Sequence, residues 1–364
     1  MEIFKPLSPI PAYSRGNSSP CIELCLASSG TNTPNQDYGN LVNKYIIIPD
    51  DILTTKFDVL KIDDVFILRN VVCYIFKTFF ERMNYQRINP VCLKGFVKDV
   101  SEKYNNVPYH NFYHATHVLH MTYVLLDKCE MFNKMSPDVL FSTLVSALVH
   151  DIGHPGNNNS YEINTCSELA YRYNDLSVLE QYHCTLAFEL IKKHQLFLNY
   201  THEEFVVCRK TIISAILGTD LANHNTALEL LKMKKESGFY FETIEEQYFM
   251  AKILVHAVDI GNPIQDFEKC QAWSRRVSLE VYSQTEKEKE RGLKPFTSFN
   301  INSRTSFYQH EIKYIRYICK PYWETLSQLF ESLKPLYEQI VQNLDTYILL
   351  ENEAEKVEVN LAEF

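Results

Sequence analysis

Apolar residues recur along most of this chain at steps of three to five, with polar residues between them, which is the spacing of one helix face. Phe66, Val71, Tyr74, Ile75 and Phe79 set the pattern, and segments 114–131, 137–150, 163–173, 177–194, 203–218, 226–235, 244–260, 266–289 and 306–347 repeat it. Pro155, Gly156, Gly218, Gly238, Gly261 and Pro263 punctuate the segments, as residues that stop helices or turn the chain. No stretch alternates with period two and there is no internal repeat. The pattern predicts an all-α, compact multi-helix domain over residues 51–348. Residues 1–50, rich in Ser, Pro, Asn and Gly, predict a poorly ordered segment or linker. Residues 349–364 predict an acidic tail that frays. The charge run Thr285–Gly292 reads as a solvated helix end, followed to Ser306 by a polar loop of the length at which functional lids occur.

Composition narrows the class. The chain has 364 residues, 46% hydrophobic and 22% charged, with ten glycines. That is ordinary for a soluble globular protein, and it leaves little material for tight β-turns or Gly-rich phosphate loops. A net charge of −9 argues against nucleic acid as a partner, because that binding needs a cationic surface. Substrate anions would have to be met locally, by metal. Ten cysteines lie scattered without a CxxC pair, Cys21 and Cys25 among them. This reads as reduced thiols in a cytoplasmic compartment. The longest apolar run, Val65–Phe80, is broken by Arg69, Asn70 and Lys77, so no membrane span is expected in this chain. A membrane-attached parent and a homodimer both stay open.

Candidate chemistry gathers where apolar runs end. His150-Asp151 closes one such run, with His154 four residues after His150 and Pro155-Gly156 to turn the chain. A carboxylate has lone pairs enough to bridge two cations. Read alone, His150 could simply cap a helix end. His110 and His114 stand four apart and share a helix face, whereas His117 and His120 read as packing. Asp259 ends a second apolar run just before Gly261-Asn262-Pro263, and Thr219-Asp220 ends a third. A charged carboxylate at an apolar terminus is costly unless paired or metal-bound. The order His … His-Asp … Asp is the metal-binding pattern of the HD superfamily. At this level several metal phosphohydrolases and a few metal-dependent oxygenases remain open.

Finer motifs occur in order: Tyr-His-Asn-x-x-His at 109–114, His-Asp-x-x-His-Pro-Gly at 150–156, and Ser-Glu-Leu-Ala-x-x-Tyr-Asn-Asp-x-Ser-Val-Leu-Glu at 167–180. Thr-Asp at 219–220, Asp-x-x-Asn-Pro at 259–263 and Pro-Tyr-Trp-Glu-Thr at 321–325 follow. Over about residues 60–345 the chain resembles the catalytic domain of class I 3′,5′-cyclic-nucleotide phosphodiesterases. The Asn157-Asn158-Asn159 run and Tyr171–Asp175 resemble the cGMP-preferring branch, including apicomplexan members. The resemblance implies that His114, His150, Asp151 and Asp259 ligate Zn²⁺, and that Asp151 bridges to Mg²⁺ or Mn²⁺. It implies that His154, Glu180 and Thr219 hold that ion's waters. Asp220 either joins them or caps the next helix. His110 would be the general acid, oriented by Glu280, as an activated water attacks the cyclic phosphodiester in line. Gly153 stands where the family usually carries an aspartate, which puts local support of the metal loop in doubt.

For the nucleobase, the family uses a glutamine and a clamp on the two ring faces. Counting back without gaps from Pro321 puts the glutamine position on Glu311, the clamp aromatic on Tyr314 and the opposite jaw on Val277. The alternative is a local insertion that hands the role to Gln309. A carboxylate only accepts, so Glu311 would suit guanine's N1–H and 2-amino donors and would oppose adenine's N1. Asn262 would reach the base or ribose edge, with a helix C-cap as its other role. Tyr109 either lines the pocket or is a partly buried aromatic, and Trp273 and Trp323 read as core.

Overall fold

The computed structural model describes residues 41–42, 48–297 and 300–362. Most of the 1–50 segment, with Cys21 and Cys25, lies outside the described residues. The helices are α1 (Val65–Met83), α2 (Pro90–Lys103), α3 (Phe112–Lys128), α4 (Pro137–Val149), α5 (Asn159–Asn164), α6 (Glu168–Tyr173) and α7 (Val178–Lys193). They continue as α8 (His202–Leu217), α9 (His224–Ser237), α10 (Ile244–Asp259), α11 (Phe267–Glu290), α12 (Arg304–Tyr314), α13 (Lys320–Leu329) and α14 (Lys334–Ala362). Among the described residues there is no strand, and the all-α reading holds. No helix among them is long and apolar enough to cross a membrane. Their eight cysteines are all free thiols.

The centre of the molecule is α4, buried from Val139 to Val149 and packed against α3, α8 and α10. A helix covered on all sides must satisfy its own polar side chains. Thr143 Oγ1 donates to Val139 O at 2.7 Å and Ser146 Oγ to Ser142 O at 2.7 Å. Ser136 caps the helix at Val139 N–H, and Pro137 fits the first turn, where no N–H is needed.

Four expected segment boundaries move. Segment 163–173 is split, because Cys166 takes a left-handed φ of 51° and Ser167 caps a new helix at Ala170 N–H. Segment 306–347 is broken three times. A π turn runs from Ile315 to Cys319, Pro321 opens α13, and Phe330 is extended before a short 3₁₀ turn. Proline supplies no donor to the preceding turn, which accounts for the break before Pro321. Helix α2 was not singled out by periodicity, although Asn89 caps it, Pro90 opens it, and Leu93, Phe96, Val97 and Val100 form its buried face. Helix α14 runs on past residue 349 to Ala362, and Ala354 is buried seven residues after Tyr347 on the same face.

The C-terminal helices brace the end of α10. Trp323 is fully buried and donates Nε1–H to Ala257 O at 3.0 Å, while Tyr322 donates to Ile253 O at 3.3 Å. Trp323→Ala is expected to cost about 3–5 kcal/mol through the cavity it leaves, seen as a lowered melting temperature. Trp323→Phe, which keeps most of the packing, should cost only about 1–2 kcal/mol.

Candidate metal centre and adjoining pocket

Three helix ends converge on one buried point. His114 lies in the first turn of α3, which Asn111 caps by accepting from Tyr113 and His114 N–H. His150 and Asp151 follow α4 directly, and Asp259 is the last residue of α10. His114 Nε2 lies 3.1 Å from His150 Nε2, 3.1 Å from Asp259 Oδ1 and 3.4 Å from Asp151 Oδ2. His150 Nε2 lies 3.0 Å from Asp151 Oδ2 and 3.3 Å from Asp259 Oδ1. The His150 tautomer is fixed by its other nitrogen, because Nδ1–H donates to Ala147 O at 3.0 Å, and a carbonyl can only accept. The helix-end reading of His150 thus accounts for one nitrogen only. It bonds its own helix end with Nδ1 and turns Nε2 into the cluster.

Such an arrangement fits a cation. Metal–donor bonds of about 2.1 Å give donor–donor edges of about 3.0 Å in an octahedral shell and about 3.4 Å in a tetrahedral one. The observed separations span that interval. Asp151 Oδ2 is buried without a hydrogen-bond donor, an arrangement that costs free energy unless a cation meets it. Burial opposes charge on His150, but Asp151 and Asp259 outweigh it and hold its pKa well above the ordinary imidazole value. The cluster thus calls for positive charge at its centre.

A second group stands beside it. Glu280, on α11, accepts the backbone N–H groups of Tyr109 and His110 on Oε1 at 2.7 and 2.8 Å, and meets His110 Nδ1 on Oε2 at 2.6 Å. Burial would raise the Glu280 pKa, yet His110 and these bonds bring it down to about 2. Burial would lower the His110 pKa, and the Glu280 charge and hydrogen bond, with Asp151 and Asp259 beyond, lift it to about 9. The His110 side chain stays 29% exposed, and its Nδ1 is the nitrogen engaged by Glu280. His154 stacks on it with centroids 3.9 Å apart and planes at 18°. His154 Nδ1 accepts Gly156 N–H at 3.0 Å. Burial, then the charge of His110, push the His154 pKa well below the usual value. It is a neutral ring with Nε2–H as its donor.

Of the expected water-holding residues, Glu180 sits on α7 within reach of the Asp151 charge, and Thr219 follows the end of α8. Burial, then Asp220, raise the Glu180 pKa to about 7, and Glu180 accepts from Asn159 Nδ2 at 2.9 Å. Thr219 gives its proton to Ile216 O at 2.8 Å, which leaves its lone pairs to accept. Asp220 caps the turn Leu221–Asn223 through Ala222 N–H and accepts from Ser177 Oγ at 2.7 Å, the other of its two expected roles. Sequence reasoning missed His183, one turn past Glu180 on α7. It donates Nδ1–H to Ile152 O at 2.8 Å, and its bare Nε2 lies 3.7 Å from Asp151 Oδ1. It also missed Tyr104 and Asn105. Tyr104 donates to Leu148 O at 2.9 Å, and Asn105 Nδ2 donates to Gly153 O and His154 O at 3.0 and 2.9 Å. Gly153 has φ 78°, and a Cβ there would meet Leu186 Cδ1 at 2.5 Å. Here α7 packs where a side chain would stand, and Asn105 supports the metal loop through its backbone.

The remaining expected residues form the flank. Asn262 Nδ2 donates to Tyr109 OH at 2.9 Å, and Asn262 Oδ1 is buried without a donor. Ile260, not Asn262, is the C-cap of α10, donating its N–H to His256 O and Val258 O. Tyr109 is buried. Tyr314 donates its hydroxyl to Ile260 O at 3.1 Å. Val277 is half-buried on α11, one turn before Glu280. Glu311 is buried and accepts from Ser274 Oγ at 2.6 Å, whereas Gln309 is half-exposed.

A profile of the 3′5′-cyclic nucleotide phosphodiesterase family matches residues 109–340. The human high affinity cGMP-specific 3′,5′-cyclic phosphodiesterase 9A is 33% identical over 256 residues, 70% of this chain and 42% of the relative. The cGMP-specific 3′,5′-cyclic phosphodiesterase alpha of Plasmodium falciparum is 32% identical over 259 residues, 70% of this chain and 27% of the relative. The chain thus spans less than half the length of these curated relatives. Other matches are named a dual 3′,5′-cyclic-AMP and -GMP phosphodiesterase and a probable 3′,5′-cyclic-AMP phosphodiesterase. The crystal structure of the phosphodiesterase domain of the RhoPDE fusion protein from the choanoflagellate Salpingoeca rosetta superposes with a TM-score of 0.79. It is 33% identical and covers 84% of this chain and 98% of that one.

The cluster geometry makes metal content a direct readout. His150→Ala and Asp259→Ala are expected to lose most of the bound divalent metal found by elemental analysis of the purified protein. His117→Gln, on the same helix as His114 but outside the cluster, should retain it.

Proposed function

The chain belongs to the 3′,5′-cyclic nucleotide phosphodiesterase family, and on that premise we propose that it hydrolyses a 3′,5′-cyclic nucleotide, cGMP in preference, to the 5′-monophosphate. His114, His150, Asp151 and Asp259 would hold Zn²⁺, whose preference for nitrogen and oxygen donors they match. Asp151 would also help to hold Mg²⁺ or Mn²⁺, with His154, Glu180 and Thr219 supporting that ion's waters. When bound, such ions acidify water and offset phosphate charge.

The chain's own residues supply the rest. Glu280 holds Nδ1–H of His110, so the second proton of the imidazolium sits on Nε2, at the open face. There it is positioned to pass to the departing 3′-oxygen as the P–O bond breaks. His154, neutral and stacked on the ring, keeps that face from turning. The observation that carries this reading is the pairing of a four-donor cluster with an imidazolium tied to a buried carboxylate. Another HD-type phosphohydrolase acting on a monoester would need the cluster but not the His110–Glu280 pair.

Base preference rests on Glu311. Guanine offers two adjacent donors, N1–H and the 2-amino group, which one carboxylate accepts together, and adenine offers an acceptor at N1. An acceptor left facing an acceptor in a buried pocket costs about 1–3 kcal/mol, on the order of 5- to 150-fold in kcat/KM. Gln309 precedes Glu311 by two residues, which on a helix turns it away by about 200°. If Gln309 read the base instead, a dual cyclic-AMP and cyclic-GMP enzyme would result.

Assays with cGMP and cAMP, with and without Mg²⁺ or Mn²⁺, test the reaction; no turnover of either nucleotide would overturn it. His110→Ala should lower kcat by about 10²- to 10⁴-fold. Since the acid must carry its proton, kcat/KM should fall as pH rises through the His110 pKa. Glu280→Gln removes the charge that raises that pKa, so the alkaline limb should move to lower pH. Glu311→Gln should lower the cGMP/cAMP ratio of kcat/KM; an unchanged or larger ratio would exclude Glu311 as the base reader.

A further inference from the structure

We propose that the cavity between α5 and the C-terminal end of α11 binds a small zwitterion carrying a primary ammonium and a carboxylate, the chemistry of a free amino acid. The cavity holds about 510 Å³, within the range of small-molecule sites. Tyr161 and Glu162 of α5 line one side with Thr165 and Ser167, and Lys287, Glu290 and Arg291 line the other. None of these residues belongs to the metal cluster or to the His110–Glu280 pair.

Glu162 calls for a ligand. It is only 6% exposed. Its backbone carbonyl takes Ser167 N–H at 3.0 Å and Thr165 Oγ1 at 3.3 Å, whereas its carboxylate has no hydrogen bond or ion pair among the described residues. A buried carboxylate in that state costs free energy that a donor with positive charge would recover. The cavity is the space left in which such a donor can stand.

The other groups restrict what carries that donor. Lys287 Nζ donates to Asn157 Oδ1 at 2.8 Å, which leaves two of its three protons to give. The Arg291 guanidinium lies 5.6 Å from the Tyr161 ring centroid. Neither cation pairs with a carboxylate among the described residues. The lining therefore has two carboxylates and two cations. A lone anion or a metal ion would each meet two fixed charges of its own sign, whereas a zwitterion meets both signs with their opposites. The hydroxyls divide in the same way. Thr165 Oγ1 gives its proton to Tyr161 O at 2.8 Å, so it can only accept, as an ammonium requires. Ser167 Oγ accepts Ala170 N–H at 3.1 Å, so its own proton is left for a carboxylate.

Occupancy of this cavity bears on the metal side through α5. The helix starts at Asn159, whose Nδ2 donates to Glu180 at 2.9 Å and whose Oδ1 accepts Leu179 N–H at 2.9 Å. A ligand held by Glu162 acts on the six-residue helix whose first residue places Glu180. This second part rests on the proposed hydrolysis; the binding itself does not.

The test adds the L-amino acids singly, at millimolar concentration, to the purified chain and reads melting temperature and heat of binding. At least one is expected to bind the wild type. Glu162→Gln, which keeps the side chain's size, should weaken it on the order of tenfold or more, and Arg291→Ala, at an exposed position, should weaken it as well. The N-acetyl and amide derivatives of that amino acid, each lacking one charge, should lose binding. Binding by no amino acid, binding unchanged in both variants, or equal binding of the N-acetyl form would overturn the site. Turnover of cGMP with and without the bound amino acid tests the link to Glu180. Unchanged turnover removes the link and leaves the site, and no turnover at all overturns the hydrolysis while the binding result stands.

Discussion

Two imidazole nitrogens held 3.0–3.4 Å from each other and from two carboxylate oxygens in a buried place are the constraint from which the rest of the structure follows. Two carboxylates and two imidazoles cannot share such a space in water-poor surroundings without a positive charge between them. The fold therefore has to be rigid enough to keep them there before any cation arrives. It achieves this by placing each donor at the end of a helix whose body is locked in the core. Helix α4 is buried on every side, α10 is braced by Trp323 and Tyr322, and α3 starts from a capped turn. A helix end is a good place for a ligand, because the backbone there is fixed on one side and free to turn away on the other.

The His110 side follows a different logic. His110 is held by one carboxylate that also gathers two backbone N–H groups, so the loop entering α3, the His110 ring and α11 are tied together. Charge on His110 and charge on Glu280 support each other, and burial, which opposes both, is outweighed in each case. The neutral stacked ring of His154 completes this side without adding a competing charge.

Much of this was legible in the sequence because the chemistry lies at helix termini, where hydrophobic periodicity stops and Gly, Pro or Asn follows. His150, Asp151 and Asp259 stood out for that reason, His114 for its four-residue spacing from His110, and the structure brings the four together. His183 did not stand out, since a histidine inside a helix looks like any other core histidine until its neighbour across the space is known. Tyr104, Asn105 and Ser274 act through hydrogen bonds to residues far along the chain, which no local pattern encodes. Helix α2 went unmarked although its buried residues follow the helical step, and the C-terminal breaks depend on prolines whose effect on neighbouring turns is set by tertiary packing. Gly153, a departure from the family pattern, was readable as a departure but not as the close approach of Leu186 that explains it.

The π turn at Ile315–Cys319 bears on how this corner of the molecule can be compared with others. Such a turn holds one residue more than an α turn, and one residue amounts to about 100° of rotation about the axis. Distances in residues measured across it from Pro321 are therefore ambiguous by that angle, so that neighbouring positions on α12 trade places on paper. Contact with the α11 hydroxyl is free of that ambiguity, and it marks which side chain of α12 looks inward whatever the spacing downstream.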